Sequence, residues 1–335
     1  MVCLTNLPAF YKIRLWNEIA TKKSLLVICN GLDGNYIRNK DFTAGDMSFD
    51  LVWLPDGGIK SVMALRNILK GLDYNELIVT GNNSMTYWYA ALSNPRRKLS
   101  AVCESSIYES TTTGIRGLAK RFFASRFHKY YLSGTAHKRL LDALHYKGEM
   151  VVTHGVGVFN YVPQPPFKSC SQDCNRLLYV GRLSPEKNLF RLIDVVNRHP
   201  EWELTIVGYG PLEEELKAAA KANIRFTGAI ENKKLPEIYR EHDAFVLPSL
   251  SDVYGLVVEE ALNNGLPVAL SYRVGCSDDW AIDGRYGLTF DPDSESEIEK
   301  GLLRILTPEI NNNMRRNIAD LDFEAIERRQ VECYL

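Results

Sequence analysis

Four side chains in the carboxyl half have the types and spacing to hold an anionic ligand. Arg182 and Lys187 share one loop, Gly181-Arg-Leu-Ser-Pro-Glu-Lys-Asn188, directly after the apolar run Arg176-Leu-Leu-Tyr-Val180. Two permanent cations opposite a helix N-terminus are what a diphosphate needs: arginine grips it through a fork, lysine as a point charge. Asp252 and Glu260 are carboxylates with seven residues between them. Asp252 opens the turn Asp252-Val-Tyr-Gly255, and Leu256, Val257, Glu260, Ala261 and Leu262 begin a helix. The start of that helix offers unpaired N–H groups and partial positive charge. The blander reading makes Asp252 an N-cap and Glu260 a residue of a solvated face. Gly181, Gly208 and Gly210 stand at strand ends, where a missing side chain lets the backbone approach a ligand.

The elements that must position these residues are strands followed by helices. Ala244-Phe-Val-Leu-Pro248 reads as a buried strand, and Pro267 restarts a strand after Gly265. Strand, loop, helix and strand make the crossover of a parallel sheet, and such sheets bind ligands at the carboxyl ends of their strands. Arg176–Val180, Leu204–Val207 and Ile224–Thr227 supply further strands, with helices expected at Leu189–Asn197, Leu212–Lys221 and Leu235–Glu241. The amino half alternates in the same way. Strands are expected at Val2–Leu4, Ser24–Cys29, Phe49–Leu54, Glu76–Thr80, Lys98–Cys103, Tyr130–Ser133 and Met150–His154. Turn clusters are expected at Asn30–Gly34 and Gly155–Gly157. Two doubly wound α/β domains follow from this alternation. The proline cluster Val162-Pro-Gln-Pro-Pro166 sets the boundary, giving domains 1–162 and 163–316, with a carboxyl-terminal segment over about 317–335, its helix near Phe323–Glu332, returning to the first.

The chain has 335 residues and 45% apolar content, enough for two cores. No run of 18 apolar residues and no signal-like start occurs, so neither a spanning helix nor a secretory leader is expected. Seven scattered cysteines suit buried thiols in a reducing cytoplasm, and Cys170 and Cys174 lack a second pair at zinc spacing. The formal net charge of −1 hides opposed halves: +8 over residues 1–163 and −9 over 164–335. No G-x-G-x-x-G follows the first strand, which argues against dinucleotide binding.

Two features of the amino half carry possible chemistry. Glu104 follows a strand end, where it reads as an acceptor or donor-sugar contact or else as a loop carboxylate capping the next element. Ser110–Leu141 holds seven bases and no acid, with Phe122, Phe123, Phe127, Tyr130 and Tyr131 interleaved. Arg116, Lys120, Arg121, Arg126 and Lys129 could face an anionic membrane, each base contributing ~1 kcal/mol. The alternatives are a solvated basic face with inward aromatics, or a nucleic-acid surface; no nucleic-acid motif accompanies the patch.

Taken together, the motifs Tyr179-Val-Gly-Arg-Leu-Ser-Pro-Glu-Lys-Asn188, Ile206-Val-Gly-Tyr-Gly-Pro-Leu212, Ile224-Arg-Phe-Thr-Gly228 and Leu247–Leu262 resemble the retaining glycosyltransferases of family 4, of GT-B fold. Order and spacing fit over about residues 176–307; the amino half is similar in layout only. The resemblance implies two Rossmann-like domains facing across a cleft. It implies that Arg182 and Lys187 hold the nucleotide diphosphate, that Asp252 lies by the donor sugar and that Glu260 binds the ribose. Amides of Val253, Tyr254, Gly255 and Leu256 would contact sugar hydroxyls and phosphate. Asp252 departs from the family's Glu and has a shorter reach. A family His that touches the donor sugar has no clear counterpart here.

The implied reaction moves a sugar from a UDP- or GDP-sugar to an acceptor hydroxyl with retention. Cations substitute for a metal, so no metal and no cofactor is expected. Asp291-Pro-Asp293 reads as a turn and N-cap rather than a metal motif. A lipid-linked saccharide is the expected acceptor, handled in the cytoplasm or at the inner face of the plasma membrane for surface polysaccharide synthesis. The competing readings are a non-catalytic sugar-nucleotide-binding protein on the same scaffold, a sugar phosphorylase and a nucleic-acid-binding module.

Overall fold

The computed structural model describes residues 1–31, 43, 45–55, 57–155, 162, 164–170, 173–281 and 284–335. Most of the turn expected at 30–34, part of that at 155–157 and Pro163 of the proline cluster lie outside them. The chain divides into two compact units, Met1–Phe159 with Glu327–Leu335, and Asn160–Ile326.

Unit 1 is a seven-stranded parallel sheet of order β3-β2-β1-β4-β5-β6-β7. Its strands are β1 (Val2–Thr5), β2 (Leu26–Cys29), β3 (Asp50–Trp53), β4 (Leu77–Val79), β5 (Leu99–Cys103), β6 (Lys129–Leu132) and β7 (Glu149–Val152). Crossovers are α1 (Phe10–Ala20), α2 (Gly58–Lys70), α3 (Met85–Ser93), α4 (Gly114–Ser125) and α5 (His137–Ala143). The central strands are short apolar runs because both sheet faces are covered. One face packs Leu65, Tyr87, Phe123, Phe127 and Leu140. The other packs Ile13, Trp16 and Ile19 of α1 with Val331 and Tyr334 from the chain's end.

Unit 2 is a six-stranded parallel sheet of order β10-β9-β8-β11-β12-β13. Its strands are β8 (Arg176–Val180), β9 (Glu203–Val207), β10 (Ile224–Gly228), β11 (Ala244–Leu247), β12 (Val268–Ser271) and β13 (Gly287–Phe290). The helices are α6 (Leu189–Val196), α7 (Glu213–Ala219), α8 (Leu235–Glu241), α9 (Leu256–Asn263), α10 (Ser277–Trp280), α11 (Glu295–Ile305) and α12 (Pro308–Ala319); α13 (Phe323–Glu332) starts in this unit and ends among the residues of unit 1. From β8 the chain winds outward to β9, and from β11 it winds the opposite way to β12. The strand order therefore reverses between β8 and β11, whose registers are Ala244 with Leu177 and Phe245 with Leu178. The loops after these two strands flank the switch point, where open α/β sheets form a ligand crevice.

The final helix expected near Phe323–Glu332 is α13; residues 317–319 close α12, and 320–322 separate the two helices. Two expectations are corrected. Cys170 and Cys174 are joined as a disulfide, not held as thiols. Asp291 and Asp293 do not cap the helix that follows them. Ser294 does, accepting from the Glu297 amide at 3.3 Å, while Asp291 accepts from the Asp293 amide in the turn and Asp293 pairs with Arg273.

Candidate active site in the second unit

The loops after β8 and β11 are stapled together at the switch point. Leu250 N donates to the Glu186 carbonyl at 2.8 Å. Asn188 Nδ2 donates to the carbonyls of Pro248 at 3.2 Å and Pro292 at 2.8 Å. Asn188 sits in the left-handed region at φ 57°, which Asn tolerates better than most residues, so it can both turn the chain into α6 and aim its amide sideways. Lys187 Nζ lies 2.5 Å from Asp252 Oδ2, closing the staple with charge. Arg182, on the same loop, pairs with Glu186 at 2.9 Å and stays half-exposed. Hydrogen bonds from Ser184 and nearby backbone, with Arg182 and Lys187 close by, outweigh partial burial and hold the Glu186 carboxyl below its usual range.

Helix α9 starts beside this staple. Gly255, its N-cap, is in the left-handed region at φ 91°, and no side chain caps the helix. A Cβ on Gly255 would fall 2.8 Å from Val274 Cγ1, so the turn is both conformationally and sterically reserved for glycine. The uncapped first turn leaves helix N–H groups for an anion. The turn is fixed from below: Gly275 N donates to the Asp252 carbonyl at 3.1 Å and Cys276 N to the Tyr254 carbonyl at 2.9 Å. Tyr254 is buried and donates through its hydroxyl to Glu259 at 2.6 Å. Its side chain thus anchors the turn, while only its backbone could serve a ligand.

Glu260 lies one turn into α9, half-buried. Burial pushes its carboxyl up to about 7, against a hydrogen bond from Tyr239 Oη at 3.1 Å that opposes the shift. It is not the solvated helix-face residue of the bland reading. Nor is Asp252 the cap; Gly255 holds that position.

The glycines let neighbouring loops pack closely. A Cβ on Gly208, at φ 137°, would fall 1.8 Å from the Gly181 carbonyl oxygen, and one on Gly210 would fall 2.3 Å from that of Leu183. These two positions admit the neighbouring loop backbone. Leu183 N accordingly donates to the Tyr209 carbonyl at 3.0 Å. Gly181 is crowded by the hydroxyl of buried Tyr179, which donates to the Arg182 carbonyl at 2.7 Å and sets where the cationic loop begins.

In unit 1, Glu104 follows β5 as expected, but it neither caps an element nor stands free. It pairs at 2.6 Å with Lys12, a buried lysine of α1. Burial alone would lower the Lys12 pKa; the Glu104 carboxylate more than offsets this and raises it. The five cations expected to face a membrane separate. Arg116 and Arg121 are exposed on α4, beside Ile115 (87% exposed), Leu118 (64%) and Phe122 (53%). Lys120, one turn beyond Arg116, is partly buried on the face of Gly117, Phe123 and Ala124, opposite Ile115, Leu118 and Phe122. Arg126 donates to the Ala91 carbonyl at 3.2 Å, and Lys129 lies on β6 over the Tyr131 ring, 4.0 Å from Glu149.

Tyr239 carries part of this geometry outside every motif, and the side chains of Asn188, Tyr179, Tyr254 and Glu259 have structural roles that the motifs containing them do not specify. Asn188 had a local signal, an Asn ahead of a helix after a short polar turn. Tyr239 is an ordinary core residue in one dimension.

Residues 166–320 match the family described as glycosyl transferases group 1. Sulfoquinovosyl transferase SQD2 of Arabidopsis thaliana is 37% identical over 119 residues, covering 35% of this chain and 23% of its own length. The O-antigen biosynthesis glycosyltransferase WbnH of Escherichia coli is 28% identical over 237 residues, 64% of each chain. These matches span less than two thirds of either relative. The chain has the GT-B fold: its backbone matches that of Anabaena Alr3699/HepE in complex with UDP at a TM-score of 0.71, with 14% identity, over 99% of this chain and 98% of that one. Among the described residues no helix is long and apolar enough to cross a membrane.

Proposed function

We propose that this protein is a retaining glycosyltransferase of family 4. It moves a sugar from a UDP- or GDP-sugar to an acceptor hydroxyl on a lipid-linked saccharide during cell-surface polysaccharide synthesis. One observation carries the reading: Arg182, Lys187, Asp252 and the uncapped start of α9 converge on stapled loops at the switch point of unit 2. Similarity to WbnH, whose name assigns it to O-antigen biosynthesis, supports the polysaccharide setting. The UDP held by a protein of the same fold supports the donor class.

In this reading the diphosphate leaves as charge builds on it. Arg182, Lys187 and the helix start stabilise that charge where it develops. The reaction is metal-independent, the fixed cations standing where a divalent ion would otherwise serve. Glu260 accepts from the ribose hydroxyls and Asp252 lies beside the sugar. With no side chain assigned as a covalent nucleophile, the leaving phosphate takes the acceptor's proton on the same face. Unit 1 receives the acceptor. The α4 surface formed by Arg116, Arg121, Ile115, Leu118 and Phe122 rests on an anionic leaflet at the cytoplasmic side.

The test is a panel of UDP- and GDP-sugars, with and without EDTA, read by release of nucleoside diphosphate and by the anomeric configuration of the product. Binding of donor without release by any acceptor extract would favour the non-catalytic reading. Loss of activity in EDTA, restored by a divalent metal, would overturn the metal-independent step.

A further inference from the structure

We propose that unit 1 contains a subsite for a small oxyanion, a phosphate or carboxylate borne by the acceptor, with Lys120 as its cation. A cavity of about 130 Å³ lies wholly inside unit 1, at the carboxyl ends of β4 and β5. Phe123, Tyr130, Leu140 and Leu144 form its apolar walls, and Asn82, Ser105, Ser110 and Lys120 supply its polar groups. The volume equals that of about four waters, room for one oxyanion group.

The electrostatics of the lining select an anion. Lys120 is half-buried and makes no ion pair with a described residue. Glu104 also lines the cavity, but its carboxylate is held 2.6 Å from Lys12, so that pair is close to neutral. Glu109, beside Ser110, accepts from Ser106 Oγ at 3.1 Å and does not line the cavity, and residues 110–141 contain no acid. One ammonium therefore remains, partly withdrawn from water among apolar walls. A charged group in such a place is costly unless it is paired and hydrogen-bonded. An oxyanion pairs with it, and hydroxyls at Ser105 and Ser110 with the Asn82 amide complete the hydrogen bonds. A lysine, as a compact point charge, suits a single oxyanion, whereas a bidentate clamp would call for arginine.

Assigning the oxyanion to the acceptor rests on the transferase reading; the existence of the subsite does not. The test uses the full chain and four probes: inorganic phosphate, methyl phosphate, acetate and the donor nucleotides UDP and GDP. Titration calorimetry compares wild type with Lys120→Ala, Lys120→Met, Lys120→Arg and Arg116→Ala. Met keeps the apolar stem should Ala disturb the helix, and thermal melts report whether each variant is folded. Methyl phosphate or acetate binding is expected to weaken tenfold or more in the Ala and Met variants and to recover partly in the Arg variant. It should be unchanged in Arg116→Ala, and UDP or GDP binding should be equal in all. Equal anion binding in wild type and folded Lys120→Met overturns the subsite. Binding of inorganic phosphate with exclusion of methyl phosphate and acetate also overturns it, since the cavity would then hold only a free ion. If Lys120-dependent binding is found while neither UDP nor GDP binds, the transferase reading fails and the subsite stands.

Discussion

Lys187 Nζ and Asp252 Oδ2 are 2.5 Å apart, and each side chain is only 14% exposed. The cation proposed to grip the donor diphosphate is thus already neutralised by the carboxylate proposed to sit beside the donor sugar. An incoming diphosphate has to share Lys187 with Asp252. Asp252→Asn removes the competitor and is expected to tighten UDP or GDP binding by about tenfold, the scale of one charge-assisted hydrogen bond. The same variant should lose turnover. Calorimetry with the free nucleotides, alongside sugar-release kinetics, checks both, and weaker nucleotide binding in Asp252→Asn would refute the competition.

Arg182→Ala and Lys187→Ala are expected to lower turnover by roughly 10²–10³ each, the usual effect of removing one donor to a developing charge. Circular dichroism should show the Arg182 variant folded, since Arg182 is half-exposed and its partner Glu186 is on the same loop, and it serves as the fold control for the Lys187 variant. Near-normal turnover in both would remove them from the reaction.

Glu260 should make the ligand-free protein's stability depend on pH. Its pKa rises from an ordinary 4.5 to about 7 on folding, through burial. A raised carboxyl favours the protonated form in the folded state, so stability is lost as pH rises from about 4.5 through about 7. The cost above that range is on the order of 3 kcal/mol. Glu260→Gln is therefore expected to raise the Tm at pH 8 and to leave it little changed at pH 4, while weakening nucleotide binding through the ribose. A Tm gain equal at both values would show that ionisation is not the cause.

Removing Glu104 should be a stability defect first. Lys12 is buried, and Glu104→Ala would leave its ammonium unpaired in the core of unit 1. Such a loss costs about 3–5 kcal/mol. The double variant Lys12→Met, Glu104→Ala is expected to recover most of it, because an apolar stem replaces an unpaired charge. Denaturant melts of the single and double variants decide the point; an unchanged Glu104→Ala midpoint would mean that the pair contributes little.

Arg116→Glu with Arg121→Glu should reduce flotation with anionic vesicles at low salt, whereas Lys129→Ala should not, because Lys129 is engaged over Tyr131 inside the unit. Replacing Ile115 and Phe122 by Ser should reduce it further. Vesicle binding indifferent to all of these changes would exclude α4 as the contact.

The sequence by itself determined the two parallel sheets and the loops that matter. Strands buried on both faces are contiguous apolar runs, and every crossover of a parallel sheet delivers its loop to the same edge. Arg182, Lys187, Asp252 and Glu260 were legible for that reason. Partner choice was decided only by the tertiary structure. Glu104 meets Lys12 across the sheet edge, and Lys187 meets Asp252, through contacts between segments far apart in the chain. Helix α4 has apolar residues on two sides, Ile115, Leu118 and Phe122 on one and Phe123 and Ala124 on the other. Periodicity shows that both stripes exist; only packing against the sheet selects which is buried, and with it partly buries Lys120 and leaves Ile115, Leu118 and Phe122 in water.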